Sequence, residues 1–374
     1  MTSPPFSDSP NARSKTITTA SGPDTHGALN QLPLQSEFFD IGIAEDRGSR
    51  RTMEDAYGFV SDFANVKGQG YFAIFDGHAG KHAAEWCGAH FHEYLLTEMK
   101  KEPTATVPQI LNNTFHSVDQ YLSKLAEEGT THSGCTAVTA FLRIEDEKGG
   151  QSFIPALSDS PPHSSQASPQ ESDDENTNSK KKNGSGSRIG KVVKSLSDNL
   201  RTSSPSKTAP QATSPTHHLV DIPASHRASL RRVLYTANVG DARAVLCRGG
   251  KAVRLTYDHK GSDKQEAKRI MDAGGFVMNN RVNGVLAVTR SLGDSSMKEF
   301  VVGSPYTTET ELSEDDEFLV IACDGLWDVA EDQKVVDLVR SIHDAPEASK
   351  VLLQYALEHF TTDNVTVLVV RFKN

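Results

Sequence analysis

The chain has 374 residues, a formal net charge of −10 and four cysteines. This length allows one large domain or two of ordinary size, with a sizeable core. The negative charge argues against general nucleic-acid binding, since a phosphate backbone would repel it. The cysteines are widely spaced without a C-x-x-C pair, which favours small buried residues in a reducing compartment over a disulfide or zinc framework.

No apolar stretch resembles a signal peptide or is long enough to span a membrane. We therefore expect an intracellular monomer, cytoplasmic and also nuclear, with no membrane span and no nucleic-acid partner. The mean hydropathy of −0.46 is low for a fully globular chain and indicates a disordered share.

Two regions have the composition of disordered chain. Residues 1–36 are rich in Ser, Thr, Pro and Asn, and about 150–229 form a Ser/Pro/Lys-rich insertion almost without aromatic residues. Neither can bury enough apolar surface to offset its ordering entropy. The predicted folded domain is therefore 37–373, interrupted by this insertion.

One part of the insertion, residues 180–201, has seven basic residues, a single acid and apolar residues at helical spacing. We hypothesise that this basic segment folds on an adaptor or an acidic surface. A transient helix in a linker is the alternative interpretation.

Strand patterns alternate with paired helical patterns in both halves of the domain. The first half predicts strands at 38–46, 56–63, 71–75 and 133–144, with helices at 78–101 and 107–128. The second half predicts three strands over 231–254, strands starting at 318 and 363, and helices at 263–273, 331–343 and 346–359. The clear connections are hairpins, which favours an α+β fold, a layered α-β-β-α sandwich of two antiparallel sheets flanked by helices.

Carboxylates lie where many of these strands begin or end. They are Glu54, Asp55, Asp76, Asp241, Asp324, Asp328 and Asp363. Each alone is typical of a solvated turn, but buried together they would repel one another unless cations lay between them. Oxygen-only clusters suit Mg²⁺ or Mn²⁺ better than Zn²⁺, and two such ions about 4 Å apart can clamp an in-line displacement at phosphorus.

Other candidate sites are weaker. His78 and His82 have the spacing of a zinc-binding helix pair, but no third ligand pattern accompanies them. Cys135 and Cys323 stand in apolar strand segments and are expected in the core. No G-x-G-x-x-G or Walker pattern occurs, so the glycines are interpreted as turns and not as a nucleotide cradle.

Seven ordered motifs resemble the metal-dependent protein phosphatases of type 2C. They are RTMED (51–55), DGHAG (76–80), SGCTAV (133–138), NVGDARAV (238–245), RVNGVLAVTRSLGD (281–294), ACDGLWDV (322–329) and DNVTV (363–367). The resemblance spans about 38–371 without the insertion and is greatest with fungal stress-pathway members. Ala79 departs from the commoner glycine of DGHGG, a change that leaves the ligand atoms in place.

The resemblance implies a metal ligand set with two ions and a weaker third. Asp76 would bridge the two ions, with Glu54 and the Gly77 carbonyl on one of them. Asp324 and Asp363 would hold the other. Asp55 would act mainly through coordinated water, and Asp241 and Asp328 with Asp324 match the third site.

The resemblance also implies two catalytic side chains beside the metal-bridging Asp76. Arg50 matches the arginine that binds the substrate phosphate, and its guanidinium offers a planar, always charged fork of donors. His78 matches the general acid, and the ordinary pKa of histidine suits proton delivery at neutral pH. Residues 260–272 correspond to the flap beside the active site of the family.

The expected function is hydrolysis of phosphoserine and phosphothreonine on signalling proteins by metal-activated water, dampening a mitogen-activated kinase stress pathway. A pseudophosphatase that only binds partners is one alternative, although the metal-ligand positions are intact. A hydrolase of small phosphate esters is another, because the chemistry at phosphorus is the same.

Overall fold

The structure is a computed structural model that describes residues 14–18, 37–154, 219, 220, 222 and 229–373. The rest of the predicted tail and insertion, including the basic segment 180–201, lies outside the described residues. The chain on the two sides of residues 155–217 belongs to one compact unit. Among the described helices, none has both the length and the apolar character to cross a membrane.

The strands follow the predicted alternation closely. In the first half they are β1 (Ser14–Thr18), β2 (Phe39–Asp46), β3 (Ala56–Ser61), β4 (Gly70–Phe75), β5 (Gly77–His78), β6 (Gly134–Cys135) and β7 (Ala137–Glu145). In the second half they are β8 (Arg231–Val239), β9 (Arg243–Arg248), β10 (Lys251–Arg254), β11 (Val277–Met278), β12 (Arg281–Val282), β13 (Leu292–Gly293), β14 (Tyr306–Glu311), β15 (Asp316–Ala322) and β16 (Val365–Phe372).

The helices flank these strands. They are α1 (His82–Lys101), α2 (Val107–Glu127), α3 (Lys264–Asp272), α4 (Asp324–Trp327), α5 (Asp332–Val339) and α6 (Ala345–Glu358). Asp263 and Asp344 are the N-caps of α3 and α6. The Asp263 side chain accepts from the backbone N–H groups of Gln265 and Glu266, and the Asp344 side chain accepts from that of Glu347.

Two antiparallel sheets form the centre of the fold. The first has the strand order β1-β2-β16-β15-β9-β10 and the second has the order β14-β8-β7-β4-β3. Strands β2 and β16, far apart in sequence, pair along their whole length from Phe39 opposite Phe372 to Asp46 opposite Val365.

The strand period explains how the layers pack. In β4, Phe72 and Ile74 face the first sheet, whereas Tyr71, Ala73 and Phe75 face α1 and α2. Helices α5 and α6 cover the opposite face of the first sheet. Full burial of such a side chain contributes about 1.5–3 kcal/mol to the free energy of unfolding. The α+β sandwich with outer helices is therefore confirmed.

Two local features differ from the expectations. Ser14–Thr18 lies in the segment expected to be disordered, yet its backbone pairs with β2 from Gly42 to Asp46. Its β-branched Thr and Ile residues favour an extended edge strand.

Helix α1 begins at His82 instead of His78, because Gly77 and His78 continue as a short strand. Ala79 and Gly80 then turn the chain with φ angles of 55° and 113°. The commoner glycine would adopt such a conformation without the cost of about 1–2 kcal/mol that Ala79 carries.

Candidate metal centre and active site

Three carboxylates converge between the two sheets. Asp76 follows β4 of one sheet, whereas Asp241 precedes β9 and Asp324 follows β15 of the other sheet. One oxygen from each lies within 4.8 Å of the other two. Strand ends of the facing sheets thus bring Asp76 and Asp324 together, although 248 positions separate them in the sequence.

Asp55 extends this cluster on its buried side. It forms a second group within 4.8 Å with Asp76 and Cys323. Its Oδ2 accepts a hydrogen bond of 2.7 Å from the Thr366 hydroxyl, whereas Oδ1 is buried and no described residue donates a hydrogen bond to it. Burial, with the charge of Asp363 as a smaller cause, raises the pKa of Asp55 to about 6. A buried carboxylate oxygen without a donor is a group that a cation or its water would satisfy.

The electrostatics of the cluster favour bound cations. Burial and then the charges of Asp55 and Asp324 raise the pKa of Asp76 well above its ordinary value. Burial and then the charge of Asp241 do the same to Asp324. Burial also raises the pKa of the Cys323 thiol, which donates to the Asn364 carbonyl oxygen at 3.4 Å. The other donors of the cluster are carboxylate oxygens, which fit Mn²⁺ or Mg²⁺.

Gly77 brings the backbone of β5 against the loop that carries Glu54. A Cβ atom on Gly77 would lie 2.3 Å from the Glu54 carbonyl oxygen, so only glycine allows this approach. The Glu54 carboxylate accepts from the Thr52 hydroxyl at 3.0 Å and weakly from the Gly80 amide at 3.4 Å. Glu54 thus borders the cluster without joining either of its 4.8 Å groups.

Asp363 and Asp328 each have a cationic partner. The Arg50 guanidinium lies 2.6 Å from Asp363 Oδ2. Lys260 Nζ lies 3.0 Å from Asp328 Oδ1 and 3.5 Å from Asp241 Oδ2. Arg50 is a predicted site residue. Lys260 was predicted only as the first residue of the flap (260–272) beside the active site, and the sequence gives no signal for its contact with two distant carboxylates.

A pocket of about 240 Å³ opens onto the cluster. Predicted site residues line it: Arg50, Asp76, Gly77, His78, Asp241, Asp324 and Asp363. The other lining residues are Thr136 and four residues that follow α3, namely Arg281, Leu286, Ala287 and Val288. Carboxylates, an arginine and a histidine around one small opening are suited to binding a phosphate ester and transferring a proton to it.

The family model described as Protein phosphatase 2C matches residues 39–147 and 163–365. The chain belongs to this family. It is therefore a serine/threonine protein phosphatase of a metal-dependent family.

Individual relatives agree with this assignment. Protein phosphatase 2C homolog 1 of Saccharomyces cerevisiae is 41% identical over 335 residues, which cover 89% of this chain and 93% of the relative. The homolog 1 of Schizosaccharomyces pombe is 35% identical and covers 91% of this chain and 75% of the relative. The crystal structure of a serine-threonine phosphatase 2C from Toxoplasma gondii shares the fold, with a TM-score of 0.60 at 17% identity over 96% of this chain and 99% of that one.

Asn364 is a residue of the phosphatase site that the sequence reasoning missed. Its side-chain amide donates to the carbonyl oxygens of Arg47 and Thr52 at 2.9 and 3.0 Å. Its Oδ1 accepts from the backbone N–H of Glu54 at 2.8 Å. A single buried amide therefore ties the loop that carries Arg50 and Glu54 to the start of β16. Its position directly after Asp363 was the available signal.

Asp294 is the second missed residue of the phosphatase. Its Oδ2 lies 2.7 Å from His78 Nε2, so the predicted general acid is held by a buried carboxylate. Asp294 ends the RSLGD stretch, whose aspartate had no assigned role.

Proposed function

We propose that this phosphatase hydrolyses phosphoserine and phosphothreonine on signalling proteins by metal-activated water, with two Mn²⁺ or Mg²⁺ ions per active site and a weaker third. The observation that carries the proposal is the convergence of Asp76, Asp241 and Asp324 beside Arg50 and His78 in one pocket. Neither a binding module nor a structural protein needs this combination.

The chain offers a set of oxygen ligands for each ion, and neighbouring sets share Asp76 or Asp324. Asp76 would bridge the first two, with Glu54 and the Gly77 carbonyl on one, Asp324 and Asp363 on the other, and Asp55 acting through water. Asp241, Asp328 and Asp324 would hold the weaker third. When bound, such ions neutralise the carboxylates, polarise phosphoryl oxygens and lower the pKa of water.

Arg50 is proposed to bind the phosphate of the substrate. Its side chain is 57% exposed and contacts Asp363 at the mouth of the pocket. Its planar guanidinium matches two phosphate oxygens at once, which orients the phosphorus atom toward the carboxylate cluster. Asp363 would then exchange its arginine partner for a cation.

His78 is proposed to protonate the leaving oxygen. An alkoxide of serine or threonine is a poor leaving group, so a positioned proton donor contributes about 10²–10⁴ in rate. His78 lines the same pocket as Arg50 and Asp76.

The decisive experiment is hydrolysis of a phosphothreonyl peptide by the full chain, with Mn²⁺, with EDTA and as Asp76→Asn. We expect Mn²⁺-dependent turnover that the variant loses. Folded, Mn²⁺-treated wild-type protein without activity would overturn the proposal and favour a pseudophosphatase. Faster turnover of small phosphate esters than of the peptide would instead favour a small-ester hydrolase.

A mitogen-activated kinase is the proposed physiological substrate. The support is the resemblance of YFAIFDGHAG (71–80) and DHKGSD (258–263) to fungal stress-pathway members. The test compares kcat/KM for an activated kinase phosphorylated on its activation loop with that for an unrelated phosphoprotein. Equal values for the two proteins would contradict this choice of substrate.

Deletion of 150–229 with unchanged partner capture would likewise dispose of the adaptor hypothesis for residues 180–201.

A further inference from the structure

A three-stranded ribbon of β5, β6 and β13 lies beside the carboxylate cluster. His78 pairs with Gly134 on one side, and Gly293 pairs with the same Gly134 on the other. Asp294 is the next residue after this ribbon. The pairing therefore brings two side chains together across the narrow central strand, although they stand 216 positions apart in the sequence.

The contact between these two side chains is short and sheltered. His78 Nε2 lies 2.7 Å from Asp294 Oδ2, and the two side chains are 24% and 9% exposed. The Ser291 hydroxyl donates to the same carboxylate oxygen. An ionised carboxylate accepts hydrogen bonds only, so Nε2 of His78 carries the hydrogen that it shares with Asp294. Nδ1 is then the nitrogen that remains for a bound substrate.

The position of the Asp294 carboxylate is fixed by close packing. A Cβ atom on Gly134 would lie 2.2 Å from Asp294 Oδ2, so even a methyl group would displace the carboxylate. The Gly293 amide donates to Asp119 Oδ1 at 2.9 Å, and Lys298 holds the same oxygen at 2.7 Å. The ribbon is thus anchored to helix α2 immediately before Asp294.

We propose that Asp294 is a positioning residue for His78. It holds the imidazolium form of the ring through its Nε2–H so that the Nδ1–H is presented to the oxygen that leaves phosphorus. This inference rests on the proposed function, in which His78 is the proton donor. A carboxylate that orients a histidine in this way acts through the ring and does not touch the substrate.

The step at which Asp294 acts is cleavage of the phosphate ester. Water adds its oxygen to phosphorus and gives one proton to solvent, and the bond between phosphorus and the seryl or threonyl oxygen breaks. The electron pair of that bond goes to the leaving oxygen, which takes a proton from His78. The products are the free alcohol and inorganic phosphate, and solvent returns a proton to the imidazole.

The test compares two substrates that differ in their need for this proton. A phosphothreonyl peptide releases an alkoxide, whereas p-nitrophenyl phosphate releases a stabilised phenolate that leaves without one. For Asp294→Asn we expect kcat on the peptide to fall about 10²-fold, within the range for loss of general-acid catalysis. We expect kcat on the aryl phosphate and both KM values to change less than about threefold, because binding and attack do not depend on the proton donor.

Two further variants separate positioning from general damage. Gly134→Ala leaves both side chains present but displaces the carboxylate, and it should give the same peptide-specific loss even if Asp294→Asn folds poorly. Glu98→Gln is the matched control, since Glu98 is a buried carboxylate of α1 whose side chain accepts hydrogen bonds from Lys101 and Ser117. It should change kcat equally on the two substrates.

Non-additivity provides the last criterion. His78→Gln combined with Asp294→Asn should be no slower on the peptide than His78→Gln alone, because the two residues act as one unit. Equal losses on both substrates, or a double variant that is slower by the product of the single effects, would overturn the inference. Wild-type protein that hydrolyses neither substrate in Mn²⁺ would instead overturn the proposed function.

Discussion

Two neighbouring groups of carboxylates differ in what neutralises them. The inner group is Asp55, Asp76 and Asp324, whose pKa values are raised chiefly by burial and further by other carboxylates. The outer group is Asp241 and Asp328, and Lys260 Nζ lies within 3.5 Å of both. Burial also raises the pKa of Asp241, but the charge of Lys260 opposes that shift.

This difference indicates where the fold needs a metal ion. Buried like charges destabilise a folded chain unless a cation or a proton neutralises them. The inner group would therefore gain stability from the proposed divalent ions, whereas an ion at the outer group would have to displace an ammonium. The proposed two tightly bound ions and a weaker third would both follow from this packing.

The largest expected contrast is between Asp324→Asn and Asp328→Asn. Loss of an inner ligand removes several kcal/mol of charge stabilisation in the transition state, which corresponds to about 10³-fold or more in kcat/KM. Asp328 is 58% exposed and already paired, so its loss should cost no more than about tenfold. Peptide hydrolysis over a Mn²⁺ titration measures both effects. Equal losses of kcat/KM in the two variants would contradict the distinction between the inner and outer carboxylate groups.

Asp55→Asn should separate stability from activity. Indirect positioning of a metal ion is worth about 10–100-fold, so activity should fall by that factor. The pKa of Asp55 is about 6 in the folded chain, above the ordinary 3.8 of an aspartate, so its ionisation favours the unfolded chain at neutral pH. The free energy of unfolding in EDTA should therefore rise by about 1–3 kcal/mol at pH 7 and show no gain below about pH 4. Urea unfolding of both proteins at these pH values is the measurement, and a less stable variant in EDTA would contradict the argument.

The sequence allowed prediction of the layers and of the inner carboxylates, because both depend on local pattern. Strand period and amphipathic helices indicated the sandwich, and Asp76 and Asp324 were conspicuous after apolar strands. The missed residues act through pairs that local pattern does not contain. Asp294 meets His78 only through the ribbon with Gly134, and Lys260 meets Asp328 only after packing.

The start of α1 was wrong for a related reason. The helical pattern of apolar residues continues back toward His78, but the left-handed turn at Ala79 and Gly80 keeps His78 in a strand. This short strand is what directs the histidine toward Asp294. The local error therefore coincided with the part of the site that depends on tertiary pairing.

Asn364→Ala should weaken Mn²⁺ binding at the inner carboxylate group and leave Mn²⁺ binding at the outer group unchanged. Its side chain holds the loop of Arg50 and Glu54 through three hydrogen bonds, and leaving such buried backbone groups unsatisfied costs about 1–3 kcal/mol. We expect that loss in thermal unfolding and a weaker inner Mn²⁺ affinity by about tenfold, measured by calorimetry. Asn113→Ala, on the half-buried face of α2, is the matched control and should leave Mn²⁺ binding unchanged. An unchanged Mn²⁺ affinity of the inner group in Asn364→Ala would mean that the loop of Arg50 and Glu54 keeps its position without the Asn364 side chain.

Lys260→Met tests the outer carboxylate group, and of these variants it is expected to change turnover least. Without the ammonium, Asp241 stays buried and no other described lysine or arginine pairs with it, so a divalent ion or a proton must neutralise it. The affinity of the weaker cation class should therefore rise about tenfold, or about 1.4 kcal/mol, while the tight class is unchanged. Lys260→Arg keeps the charge and should leave the weaker class as in the wild type. Calorimetric titration with Mn²⁺ resolves the two classes, and Asp76→Asn identifies which of them is the inner one. A weaker class that loses affinity in Lys260→Met would mean that the lysine supports the outer site instead of competing for it.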